Sequence, residues 1–109
     1  MKALYAVMFL ALLAAPAAFA GAGDATAGKD VFKKHCAICH GPTGEGNGPM
    51  AKAYNLTPPA LSSKDVQALS DSEIHAVIVK GKGKMKPVDK ITNEEIANVI
   101  AYVRTLAKK

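Results

Sequence analysis

Residues 36–40 read Cys36-Ala37-Ile38-Cys39-His40, "CAICH". The stretch holds both cysteines of the 109-residue chain, with a histidine directly after the second. A disulfide across two residues closes a very small loop and constrains the unfolded chain little. A redox dithiol of the C-x-x-C kind ordinarily sits in a βαβ context, and nothing in this chain alternates like a strand for long. A zinc site needs four ligands. His35, His40 and His75 are available beside the thiols, but no second closely spaced ligand pair follows. The remaining chemistry uses all three residues: C-x-x-C-H is the attachment signature of a c-type haem. The two thiols add to vinyl groups on neighbouring pyrroles, and the adjacent imidazole meets the iron from one face. The motif predicts one covalent haem c at Cys36 and Cys39, with His40 as an axial iron ligand.

Upstream of the motif, Gly28, Val31, Phe32 and Cys36 recur at helical spacing, and Lys29, Lys33 and Lys34 fall mostly off that face. A helix is expected from about Asp24 to Cys36. Downstream, "GPTGEGNGPMAKAYNLTPPAL" (residues 41–61) is rich in Gly and Pro and reads as an irregular loop with turns. Ser70-Asp71-Ser72-Glu73 is a capping box that opens a second helix, with Ile74, Val77 and Ile78 as its apolar stripe and Gly81 and Gly83 ending it. Thr92-Asn93-Glu94-Glu95 repeats the device before Ile96, Val99, Ile100, Val103 and Leu106. A shorter helix is expected over Lys64–Leu69, capped by Ser62 or Ser63. The fold class is all-α: three main helices and loops in one domain. A structureless loop this long is unusual in so small a domain unless it wraps something, and the centre is short of large side chains.

The chain begins "MKALYAVMFLALLAAPAAFAGAG". A charged start, an apolar run from Ala3 to Leu13, and Ala18-Phe19-Ala20 form a secretory signal pattern with cleavage expected after Ala20. Residues 3–20 carry no charge and just reach membrane-spanning length, but Pro16 interrupts them ahead of the cleavage pattern. The expected layout is a signal peptide at 1–20 and one domain at 21–109, released into the periplasm without stable membrane insertion. The formal charge of +5 is almost all lysine. One Arg, no basic-aromatic interleaving and an exported destination argue against nucleic acid. Docking to an acidic partner protein fits better.

These pieces resemble a small class I cytochrome c, in the family's order. "AGKDVFKKHCAICHG", "GPTGEGNGP", "LSDSEIHAVIVKGKGKM" and "ITNEEIANVIAYVRTL" cover the chain from about Ala25 to Leu106. The resemblance implies an all-α fold wrapped around one covalent haem, with the N- and C-terminal helices crossing where Gly28 and Phe32 meet Tyr102. It places the second axial iron ligand at Met85, in the loop between the last two main helices. By their positions, Met50 reads as packing or surface, His75 as helix surface, and His35 as too near the attachment site to reach the opposite face. The family usually has Pro directly after the axial Met, whereas Lys86 intervenes before Pro87 here. Related proteins use a comparably placed proline carbonyl to orient the ligating histidine, which would be Pro49; an ordinary turn proline is the alternative. The implied function is a monomeric, exported one-electron carrier with His/Met-ligated iron, which is not an enzyme. Lys80, Lys82, Lys84 and Lys86 either dock an acidic redox partner or serve solubility alone. A haem-based ligand-binding sensor or enzyme, and a subunit of a larger redox complex, are the alternatives.

Overall fold

The computed structural model describes residues 23–108. The leader expected at residues 1–20 lies outside the described residues. Asp24 opens α1 (Ala25–His35), its side chain accepting from the backbone N–H of Thr26 at 2.9 Å and of Ala27 at 3.3 Å. Lys33, Lys34 and His35 fill the last turn, where cations complement the helix dipole. Five more helices follow: α2 (Ala37–His40), α3 (Pro49–Ala53), α4 (Lys64–Gln67), α5 (Asp71–Lys80) and α6 (Asn93–Thr105). Among the described residues there is no named strand, only an isolated antiparallel bridge between Lys82 and Met85.

Both capping boxes form. The Ser70 hydroxyl accepts from the Glu73 N–H at 3.0 Å, and the Glu73 carboxylate accepts from the Ser70 N–H at 2.8 Å. At α6 the same exchange joins Thr92 and Glu95 at 3.1 and 2.9 Å. The backbone N–H of Ser70 holds the Glu73 carboxyl below the ordinary carboxylate range, and that of Thr92 does the same for Glu95. The fourth helix keeps its expected start, with the Ser63 hydroxyl as cap, but ends at Gln67 instead of Leu69.

The core joins the first and last helices of the described residues. α1 packs most extensively on α6, and α5 closes one side of α6. Phe32, Ile96 and Val99 are fully buried, ringed by Val31, Ile74, Ile78, Ile100 and Val103. Each such side chain contributes about 1.5–3 kcal/mol through burial. The expected meeting of Phe32 and Tyr102 is present, with ring centroids 5.3 Å apart and planes tilted by 53°. Gly28 sits at the crossing: a Cβ there would collide with the carbonyl oxygen of Asn98 and stand 3.0 Å from the Tyr102 Cβ. The Asn98 side chain in turn accepts from the Asp24 N–H at 2.8 Å, so α6 fastens the start of α1.

Arg104 ties the other end of α6 to the α4–α5 connection. It donates to the Asp71 carboxylate and to the Leu69 carbonyl, each at 2.7 Å, and to the Gln67 carbonyl at 3.0 Å. The Gln67 amide donates back to Leu61 and Val103 carbonyls at 2.8 and 3.0 Å.

Two expectations need correction. The stretch 41–61 is not wholly irregular, because Pro49 starts α3 within it; a proline at the first helical position loses no bond and has the right φ. Five residues are too few for a helix to stand alone, so packing against α2 holds it, with Ala51 buried. Gly83 does not end α5 either. Gly81 is the C-cap, its N–H donating to Val77 at 2.8 Å, and Gly83 belongs to a separate turn.

Candidate functional site

Cys36 stands where α1 stops and α2 starts. Its N–H still donates to the Phe32 carbonyl at 2.8 Å, while its own carbonyl accepts from Cys39 at 3.2 Å and His40 at 2.9 Å. The motif is thus one helical turn. Residues three and four apart on a helix are surface neighbours, so this turn sets Cys39 and His40 beside Cys36. A long loop would not fix three groups this way. The segment after the turn folds back on it: the Gly46 N–H donates to His40 at 2.7 Å and the Gly48 N–H to Cys39 at 3.1 Å. Leu61 then donates to Gly44 at 2.7 Å, which pins the far end of the loop.

Both thiols are unpaired and half-buried. Burial, with a smaller contribution from the neighbouring Cys39, pushes the Cys36 thiol up to about 11. A buried thiol of that kind is unlike the electropositive, partly exposed site that makes a reactive redox cysteine. Burial also lowers the His40 pKa, which favours the neutral ring, the form that binds metals. The His40 Nδ1 is buried without a hydrogen-bond partner, as is the Nε2 of His35. Pro49 is exposed at the start of α3, and no bond joins its carbonyl to the His40 ring. Among the described residues no three His, Cys, Asp or Glu side chains converge as a metal-binding group, so the donors around CAICH do not make a zinc-type set.

Met85 is half-buried in the connection between α5 and α6, with Lys80, Lys82, Lys84 and Lys86 all exposed around it. Met50 is half-buried in α3. His75 is half-buried on α5, less exposed than a surface position would be. Leu61, Leu69, Val88 and Ile91 pack on the core yet stay half-exposed. Apolar side chains left part-exposed on the core suit contact with a further apolar group, and two thiols with an adjacent neutral imidazole are the donor set that covalent haem needs. The residues present therefore fit covalent haem. A surface cleft lined by Ser62, Ser63, Lys64, Gln67, Ala107 and Lys108 contains none of these side chains.

Sequence reasoning overlooked the bridge between Lys82 and Met85 and the bond from Asp24 to Asn98. Neither has a motif; each depends on which backbone groups meet after folding. Among the described residues no helix is long and apolar enough to cross a membrane.

Three comparisons bear on this site. Residues 23–103 match the family described as cytochrome c oxidase, cbb3-type, subunit III. The chain is 36% identical over 107 residues to cytochrome c6 of Rippkaea orientalis, covering 93% of this chain and 86% of that protein. It is 30% identical over 93 residues to cytochrome c-554(547) of Halothiobacillus neapolitanus, covering 78% of this chain and 99% of the relative. Among solved structures, the c-type cytochrome KustC0563 superimposes with a TM-score of 0.64 at 28% identity, over 74% of this chain and 98% of its own.

Proposed function

The chain belongs to the c-type cytochromes, in the family described as cytochrome c oxidase, cbb3-type, subunit III, and on that premise we propose that it is an exported one-electron carrier with its iron held between His40 and Met85. The coarser part follows from membership: the protein carries covalent haem c and serves electron transfer with redox proteins. Bound here, haem supplies a one-electron Fe(III)/Fe(II) couple. Everything else is done by the chain.

The observation that carries the finer reading is the single turn from Cys36 to His40. It presents two thiols for thioether bonds and one imidazole whose Nδ1 points into protein, which leaves Nε2 as the nitrogen free to ligate. Met85 supports the second ligand position by its place in the α5–α6 connection and by being half-buried among exposed lysines. A thioether ligand favours the reduced metal and raises the potential. His40 and Met85 would hold the iron between them and leave no place for a substrate, which is the property of a carrier and not of an enzyme. The exposed lysines at 80, 82, 84 and 86 support approach to an acidic partner, since such charge steers encounter. Export to the periplasm rests on the leader pattern of residues 1–20, and the protein works as a monomer in this reading.

An absorption spectrum combined with carbon monoxide titration tests it. The ferric protein should show the long-wavelength band of sulfur–iron ligation, and the ferrous protein should bind carbon monoxide slowly. Fast binding by untreated protein would instead make it a ligand-binding sensor or enzyme. Acid-acetone extraction should leave the haem with the polypeptide; haem in the organic layer would contradict attachment at Cys36 and Cys39. A second reading, a fixed subunit of a larger redox complex, is favoured by the oxidase-subunit description of the family. Co-purification from the native source at constant stoichiometry would support it over a free carrier.

A further inference from the structure

We propose that Gly83 is a positioning residue for Met85: its left-handed backbone lets residues 82–85 close into a hairpin that keeps Met85 on the iron. The inference rests on the reading of Met85 as an axial ligand. Pro87 is displaced by one residue from the ligand, with Lys86 between them. Proline directly after Met85 would have restricted the backbone of the ligand itself. The structure supplies another restraint. The Lys82 N–H donates to the Met85 carbonyl at 2.9 Å, and the Met85 N–H donates to the Lys82 carbonyl at 2.9 Å. Both polar backbone groups of Met85 are thereby fixed, one on each side of its Cα.

The turn between them is Gly83-Lys84. Gly83 has φ +58°, while Lys84 is not among the residues of positive φ. Positive φ at the first central residue alone is the pattern of a type II′ turn, the two-residue connection that suits a hairpin. The hairpin is anchored at both ends to α5: Gly81 donates to Val77 at 2.8 Å and Val88 donates to Ile78 at 2.9 Å. Between those anchors, Met85 is the one residue that is not fully exposed. The loop thus leaves a single residue part-buried on a backbone closed on itself.

Gly83 makes a clean test, because a Cβ there would meet nothing within 4 Å. A side chain at this position costs only backbone strain, about 1–2 kcal/mol. At 1.4 kcal/mol per decade that is a five- to thirty-fold rise in the population with the hairpin open. An external ligand binds only that population, so its apparent affinity rises by the same factor.

The experiment titrates the ferric holoprotein with imidazole, in wild type, Gly83→Val, Gly83→Ala and Gly83→Asn. Gly83→Val should bind imidazole five- to thirty-fold more tightly, and Gly83→Ala should shift in the same direction. Gly83→Asn should fall between Gly83→Val and wild type, since Asn tolerates positive φ better. Loss of stability outside the 82–85 hairpin moves this affinity only through openings that also free Met85. Affinity of Gly83→Val and Gly83→Ala within two-fold of wild type overturns the proposal, provided wild type shows the sulfur–iron band and Met85→Ala lacks it. If wild type lacks that band, or Met85→Ala keeps it, the ligand assignment itself fails and the role of Gly83 falls with it.

Discussion

Replacing Gly28 with Ala sets two effects of opposite sign against each other. Gly28 lies inside α1, where Ala is favoured over Gly by up to about 1 kcal/mol in helix propensity. Propensity alone therefore predicts a more stable protein. The crossing predicts the reverse. The new Cβ would stand 2.5 Å from the carbonyl carbon of Asn98 and 3.0 Å from the Tyr102 Cβ. Backbone cannot rotate away as a side chain can, and the Asn98 carbonyl oxygen lies closer still, so α6 must retreat by more than ~1 Å to restore ordinary contact near ~3.5 Å. Overfilling a packed interface costs about 1–3 kcal/mol, and loosening the Phe32–Tyr102 pair risks a further ~0.5–1.5 kcal/mol. Less the propensity gain, the net is a loss of roughly 2 kcal/mol. Urea unfolding of the holoprotein, followed by far-UV circular dichroism, should show the midpoint falling by ~1–2 M for a slope of ~1–2 kcal/mol per M. Lys29→Ala, exposed on the same helix, should stay within about 0.5 kcal/mol of wild type. A Gly28→Ala protein as stable as wild type, or more so, would refute the claim that the crossing requires glycine.

Met85→Ala should abolish the sulfur–iron band, speed carbon monoxide binding to the ferrous form and lower the potential, while Met50→Ala should do none of these. Lys82→Glu with Lys84→Glu should slow electron transfer to an acidic partner most at low ionic strength, because exposed charges are screened over ~10 Å at 0.1 M salt; rates independent of salt would leave those lysines as solvating groups only. Glu73 and Glu95 have depressed carboxyl pKa values from their capping bonds, so their stabilisation is present above the ordinary carboxylate range and lost as pH falls through the folded values. Glu73→Gln and Glu95→Gln keep the capping geometry and should flatten the acid limb of a stability–pH profile; an unchanged limb would locate acid sensitivity elsewhere. Arg104→Leu should lower the unfolding free energy measured in urea by about 1–2 kcal/mol, since it leaves the carbonyls of Gln67 and Leu69 without their donor.

What could be read from sequence divides along physical lines. The helix starts at Ser70 and Thr92 were legible because a capping box is local: four consecutive residues contain both hydrogen-bond partners. The closeness of the groups in CAICH was legible for the same reason, since one helical turn contains the thiols and the imidazole. The start of α3 was missed because its five residues have no apolar period long enough to register, and only packing on α2 stabilises them. The close approach at Gly28 was implied by the family resemblance, but the Asp24–Asn98 bond, the Arg104 bonds and the 82–85 hairpin were out of reach because their partners meet only in the folded chain. Gly83 was read as part of a helix stop, as a glycine after a helical pattern usually is. The φ that assigns it to a turn is not encoded in the residue type.

The pairing of α1 with α6 also governs when this chain can fold. The hydrogen bond from Asp24 to Asn98 spans 74 positions in sequence, and closing a flexible loop of that length costs about 4 kcal/mol of chain entropy. Phe32 and Val31 have their main partners in the last helix, so a chain emerging from its N-terminus gains little from ordering them early. The core can form only after residues 93–105 are synthesised. Until then no core holds the polypeptide compact, a state compatible with the export proposed above. Its two thiols, half-buried once folded, stay open to whatever machinery joins them to haem.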